Sequence, residues 1–157
     1  MSAEEKKRLI DSLTEAHIST RAAVDGVDLE MPVYKDTGWR IRDIVGHIAT
    51  WDQEIANSLH AFKKGSEYLT PNLDEEEIEF NDKAVMEQRK LSTQQILNEF
   101  ETAYDAFKNA IQEIPDDQFP GDLVYPWGDE HGDIATMVDY MIEHAIEHRD
   151  EIVKALQ

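Results

Sequence analysis

Ile41, Ile44, Val45, Ile48, Ile55, Leu59 and Phe62 fall on one narrow arc of a 3.6-residue wheel. A helix from about residue 41 to Lys64 follows, and an apolar stripe of that length is stable only when other helices cover it. The rest of the chain offers those helices. Ser2 and Glu5 form an S-x-x-E capping signal ahead of Leu9, Ile10, Leu13, Ala16, Ala23 and Val24, and Gly26 ends the run. KGSEYLTPN reads as a connection, after which Asp74 and Glu77 are placed to cap a third segment. Ser92 with Gln95 is a second cap, which predicts a break near residue 91 and a new helix carrying Ile96, Leu97, Phe100, Tyr104, Phe107 and Ile111. IPDDQFPGDLVYPWGDEHGD then reads as a long ordered loop, and Asp133 caps a last helix from Ile134 to about Ala155. No strand alternation and no solenoid repeat is evident, so the expectation is one all-α domain over residues 1–157, a four-helix bundle.

Composition narrows the function classes. The formal net charge of -19 repels phosphate backbones and anionic headgroups, so neither nucleic acid nor a membrane surface is an expected partner. The chain has no cysteine, which removes disulfides, thiolate nucleophiles and Cys-based zinc sites, so any metal must be held by His, Asp or Glu. MSAEEKKRLIDSL lacks an apolar signal core and no run approaches a bilayer span, so a cytoplasmic location is expected.

The chemistry-bearing motif is EHAIEH, which sets His144 and His148 four residues apart on one helical stripe, able to grip one ion. With six histidines in 157 residues, chance alone supplies about 0.2 pairs at that spacing, so the pair is a weak signal by itself. A solvated polar edge fits it too. On the wheel of the last helix, Ile134, Val138, Ala145, Ile152 and Leu156 make the core arc, and both histidines lie on its shoulder with Met137 and Met141. A shoulder residue can reach a neighbouring helix while an opening to solvent remains, as a catalytic metal requires. His47, in RDIVGHIATWD, is the best third ligand, although its place equally suits a helix-edge imidazole packed on Trp51. His17, His60 and His131 read as surface or loop residues, with His131 the first choice for a spare ligand or pocket residue. HExxH, the Glu-x-x-His pairs of di-iron bundles, phosphate loops and dinucleotide fingerprints are all absent from the sequence.

GWRIRDIVGHIATWD, with a Trp ahead of the second helix and a His in its second turn, combined with the late HAIEH, resembles the DinB/YfiT-like superfamily of metal-dependent four-helix-bundle proteins. The resemblance covers essentially the whole chain in helix order and spacing. It implies an up-down-down-up bundle with a long crossover and a divalent metal on His47, His144 and His148. Relatives include thiol-dependent enzymes, such as bacillithiol S-transferases and mycothiol-dependent maleylpyruvate isomerase, and metal-free cyclopropane hydrolases. One departure is visible: many relatives carry Ser or Thr as the cap of the second helix, where this chain has Arg40, leaving Thr37 or Asp43 to compensate.

The function so implied is a transferase or isomerase dependent on a divalent metal (Zn, Ni, Fe or Mn), with a low-molecular-weight thiol as co-substrate because the chain has no thiol. A hydrolase, or a non-catalytic helical dimer that binds a small apolar ligand, is the alternative. Glu147 and Glu151, three residues after each late histidine, are placed to orient the imidazoles or move protons. Trp39, Trp51, Tyr125 and Trp127 are candidates to line a pocket for the small-molecule substrate, and an apolar helix face makes a homodimer the expected assembly.

Overall fold

The computed structural model describes residues 2–71, 77–128 and 130–157. Four long helices, α1 (Ser2–Val24), α2 (Ile41–Lys63), α4 (Thr93–Glu113) and α5 (Ile134–Ala155), pack with a shorter α3 (Glu77–Gln88). Two antiparallel three-residue strands, β1 (Asp122–Val124) and β2 (His131–Asp133), pair Leu123 with Gly132. That hairpin corrects the expectation of an unbroken loop, since strands this short leave no alternation to detect.

Local chemistry sets the helix ends. Ser92 Oγ accepts from Gln95 N while Gln95 Oε1 accepts from Ser92 N, a reciprocal cap that starts α4. Asp133 accepts from Thr136 N at 2.8 Å and starts α5. At α2 the cap is one-sided: Asp43 Oδ2 accepts from the Arg40 backbone N–H at 2.9 Å, so Asp43 compensates for the missing Ser or Thr. The Ser2 side chain and the Asp74–Glu77 cap lie outside the described residues.

Cross-helix pairs give the directions. Arg8 bonds Asp139 near the starts of α1 and α5 and Arg149 bonds Ser19 near their ends, so these two run parallel. His17 on α1 meets Glu101 on α4 while Lys6 reaches the carbonyl of Ile114, so that pair is antiparallel. Arg42, buried at the start of α2, bonds the carbonyls of Gln88 and Leu91 just before α4, and His60 near the end of α2 faces Glu113 at the end of α4. The order is therefore up-down-down-up. Because α2 and α4 are parallel, the chain must return along the full 23-residue length of α2, about 35 Å. α3 lies in that return.

Gly46 lets α3 approach: a Cβ there would sit 2.7 Å from Gln88 Oε1, whose Nε2 donates to the Gly46 carbonyl at 2.9 Å. The core is filled by Ile44, Ile55, Phe100, Phe107, Ile134 and Met137, all essentially inaccessible. Leu156 lies outside it at 37% exposure, whereas Met137 and Met141 are buried, so the apolar arc of α5 is rotated toward the histidine side. Among the described residues no helix is long and apolar enough to cross a membrane.

Candidate metal centre

Antiparallel packing of α2 against α5 brings His47 opposite the pair His144 and His148. His47 Nε2 lies 3.3 Å from His144 Nε2, which lies 3.0 Å from His148 Nε2, and one ring nitrogen from each of the three falls within 4.8 Å of the others. Two nitrogens bound to one ion at about 2.0–2.1 Å, some 90–110° apart, are themselves about 2.9–3.4 Å apart. The two measured separations fit that spacing. Three convergent imidazoles are also the donor set that borderline divalent metals accept.

The electrostatics keep the His47 and His144 rings neutral. Burial lowers the His47 pKa far below the ordinary imidazole value, and His148 and His144 lower it further. His144 is lowered to about 4, first by burial and then by His148. Proton competition for those two rings is correspondingly weak.

Glu151 fixes the third ring. Its Oε1 lies 2.6 Å from His148 Nδ1 and also accepts from the Tyr34 hydroxyl at 2.7 Å. A carboxylate on Nδ1 assigns the proton there and leaves the Nε2 lone pair facing the cluster. Tyr34 comes from the loop before α2, in a turn where Gly38 adopts φ 76° and its N–H donates to the Tyr34 carbonyl. Burial raises the Tyr34 pKa strongly, and Glu151 adds to it, so the hydroxyl stays a donor. No sequence signal pointed to Tyr34, because its partners lie more than a hundred residues away in the chain.

The other sequence candidates separate. Glu147 is exposed and makes no hydrogen bond to either imidazole among the described residues. It is Trp39, and not Trp51, whose ring meets His47, at 5.2 Å between centroids. Trp51, Tyr125 and Trp127 instead line a cleft of about 310 Å³ that opens beside His144, with Met137, Tyr140 and Met141. Met137, Tyr140, Met141 and His144 recur at helical spacing, so one stripe of α5 forms the cleft wall. The hairpin carries Tyr125 and Trp127 over the opposite side, where the Tyr125 hydroxyl donates to the Asp133 carbonyl and the Trp127 ring lies 5.4 Å from Tyr140.

Two of the remaining histidines differ from expectation. His131 is exposed and pairs with Asp122 at 3.1 Å in the hairpin, away from the cluster, so it is no spare ligand there. His17 is buried and not a surface residue, stacked on Tyr104 and Phe100 with Nε2 on Glu101 at 2.8 Å. Its aromatic partners on α4 were invisible to a reading of α1 alone.

Fold and cluster together define a four-helix bundle with three histidines converging between α2 and α5 beside an aromatic cleft. The chain belongs to the family of the mycothiol maleylpyruvate isomerase N-terminal domain, whose profile matches residues 10–150. Among solved structures, mycothiol-dependent maleylpyruvate isomerase superposes with a TM-score of 0.76 at 14% identity, over 94% of this chain and 60% of the other. This chain therefore spans less than two thirds of that enzyme. YfiT from Bacillus subtilis, described as a probable metal-dependent hydrolase with an unusual four-helix bundle topology, superposes with a TM-score of 0.75 at 19% identity, over 99% of this chain and 87% of the other. The superfamily resemblance read from Trp39, His47 and the late histidine pair is thus the right one. No curated protein matches the chain.

Proposed function

We propose that His47, His144 and His148 hold one divalent metal, Zn, Ni, Fe or Mn, and that the chain is a metal-dependent enzyme acting on a small molecule with a low-molecular-weight thiol as co-substrate. The observation that carries this reading is the convergence of three imidazole nitrogens from two helices beside an open cleft. A divalent ion held there supplies Lewis acidity, lowering the pKa of a water or a thiol toward neutrality. Within the chain, Glu151 and Tyr34 orient His148, Trp39 buttresses His47, and Trp51, Tyr125 and Trp127 form the substrate's walls and exclude water from one side. The thiol must come from a cofactor because the chain has no cysteine, and the family match to a mycothiol-dependent isomerase domain supports that choice.

Hydrolysis by an activated water, without a thiol, is the second reading, and the likeness to YfiT favours it. In both readings the chain acts as a single domain, and exposed Ile18 and Val153 support pairing as a homodimer. Elemental analysis of tag-free protein tests the metal. The expected result is about one metal per chain, lost in His47→Ala and in His144→Ala. A metal-free protein that added Zn or Ni does not stabilise would sink the proposal. Transferase and hydrolase assays with and without thiol then separate the two chemistries.

A further inference from the structure

The cleft beside His144 has a chemical polarity of its own. Its inner end is apolar, built from Trp51, Met137 and Met141. Its other end is marked by Glu130, whose Oε2 accepts from Trp127 Nε1 at 3.2 Å, while its Oε1 has no partner among the described residues. The rings of Trp127 and Tyr140, with centroids 5.4 Å apart, stand at the same end, and Tyr140 is 57% exposed. Aromatic faces and an unshared carboxylate oxygen are the two groups that attract an organic cation. No lysine or arginine lines the cleft among the described residues. Arg8, on α1, is held by Glu5 and Asp139, and Arg149 by Asp150 and Ser19. The field at the hairpin is negative as well: the Tyr125 pKa is raised first by burial and then by Asp133, Glu130 and Asp122.

We infer that this cleft takes a substrate with an aromatic or alkyl body bearing an amine or other cationic group, and that its Glu130 end turns carboxylates away. The inference rests on reading the cleft as the substrate's place in the proposed enzyme. The body lies against Trp51, Met137 and Met141, and the cation sits at Glu130 beside the Trp127 and Tyr140 rings. Tyr140, at the Glu130 end, and His144 are four residues apart on α5, a rise of about 6 Å. That length suits a chain or ring of moderate size between the cation and the atom that reacts near His144. A carboxylate at the Glu130 end would meet no counter-charge from the side chains there.

Three probes of matched shape test this: phenylbutylamine, phenylbutanol and phenylbutyrate, titrated calorimetrically and by tryptophan fluorescence into chelator-treated and metal-loaded protein. In the chelator-treated protein the amine should bind about tenfold more tightly than the alcohol, with the acid weakest. Glu130→Gln should bring the amine to the alcohol's affinity while leaving the alcohol unchanged, which also shows that the cleft is intact. The idea is overturned if the acid matches the amine without metal, if Glu130→Gln leaves the amine's advantage in place, or if none of the three binds. Should elemental analysis find no metal while the amine preference holds, the enzyme proposal fails and the cleft's selectivity stands. A bound metal without the amine preference leaves the metal site standing and overturns the cleft's selectivity.

Discussion

His17 and His47 are both buried, at 6% and 4% exposure, on helices of one bundle that both pack against α4 and α5, yet their surroundings differ in kind. His17 lies flat between Tyr104 and Phe100 and spends its Nε2 on Glu101, so its hydrogen-bonding capacity is met by the protein. His47 turns its Nε2 toward two more imidazoles, each able to present a lone pair. Burial lowers the pKa of both, but Glu101 opposes the shift at His17 whereas His148 and His144 add to it at His47. Burial therefore does not mark a ligand; the partners do. Asp52, five residues after His47 on α2, is a third case. It is 5% exposed with no hydrogen-bond partner among the described residues, and burial pushes its pKa up to about 8.

The largest expected contrast is in metal uptake. His47→Ala should abolish it, whereas His17→Leu should leave it intact and change only stability, both read by elemental analysis beside thermal melts. Equal metal content in the two variants would erase the distinction. His17→Leu should also flatten the acid limb of the metal-free protein's stability curve. The folded His17 titrates below its unfolded value of about 6.5, so stability present above that pH is lost as pH falls.

Asp52 has the opposite sign. Its folded pKa is raised, so the folded state binds the extra proton and stability falls as pH rises from about 4 to about 8. Asp52→Leu should stabilise the protein at pH 8 by several kcal/mol, each unit of pKa difference being worth about 1.4 kcal/mol, as followed by urea unfolding across that range. A flat difference between variant and parent would mean that the carboxyl finds water or a partner in solution.

Smaller effects come from the residues behind His148. Glu151→Gln should weaken metal binding by roughly 10–100-fold, the usual cost of losing the group that orients a ligating imidazole. Tyr34→Phe keeps the ring and removes one of the hydrogen bonds to Glu151, and should cost only about 1 kcal/mol of metal affinity. Competition titration with a chelating dye measures both, and a Tyr34→Phe loss larger than that of Glu151→Gln would reverse the order of support proposed for His148.

Caps were legible because they are local: Ser92 with Gln95, and Asp133 ahead of Ile134, act over three residues and start α4 and α5 where periodicity and capping predict them. The four-residue spacing of His144 and His148 was legible for the same reason. The strand pairing of Leu123 with Gly132 was not, since its register depends on a turn and not on alternation.

The sequence by itself determined the helices, the apolar stripes that require a bundle, and a donor set restricted to imidazole and carboxylate. Periodicity, capping and composition act along the chain, so they can be read along it. Only the tertiary structure decided that His47 completes a cluster while His17 is sealed by aromatic rings, that Tyr34 and Glu151 stand behind His148, and that Glu130 meets the mouth of the cleft. Those pairings join residues from different elements, and their geometry follows from how helices and loops pack, a property no single segment carries.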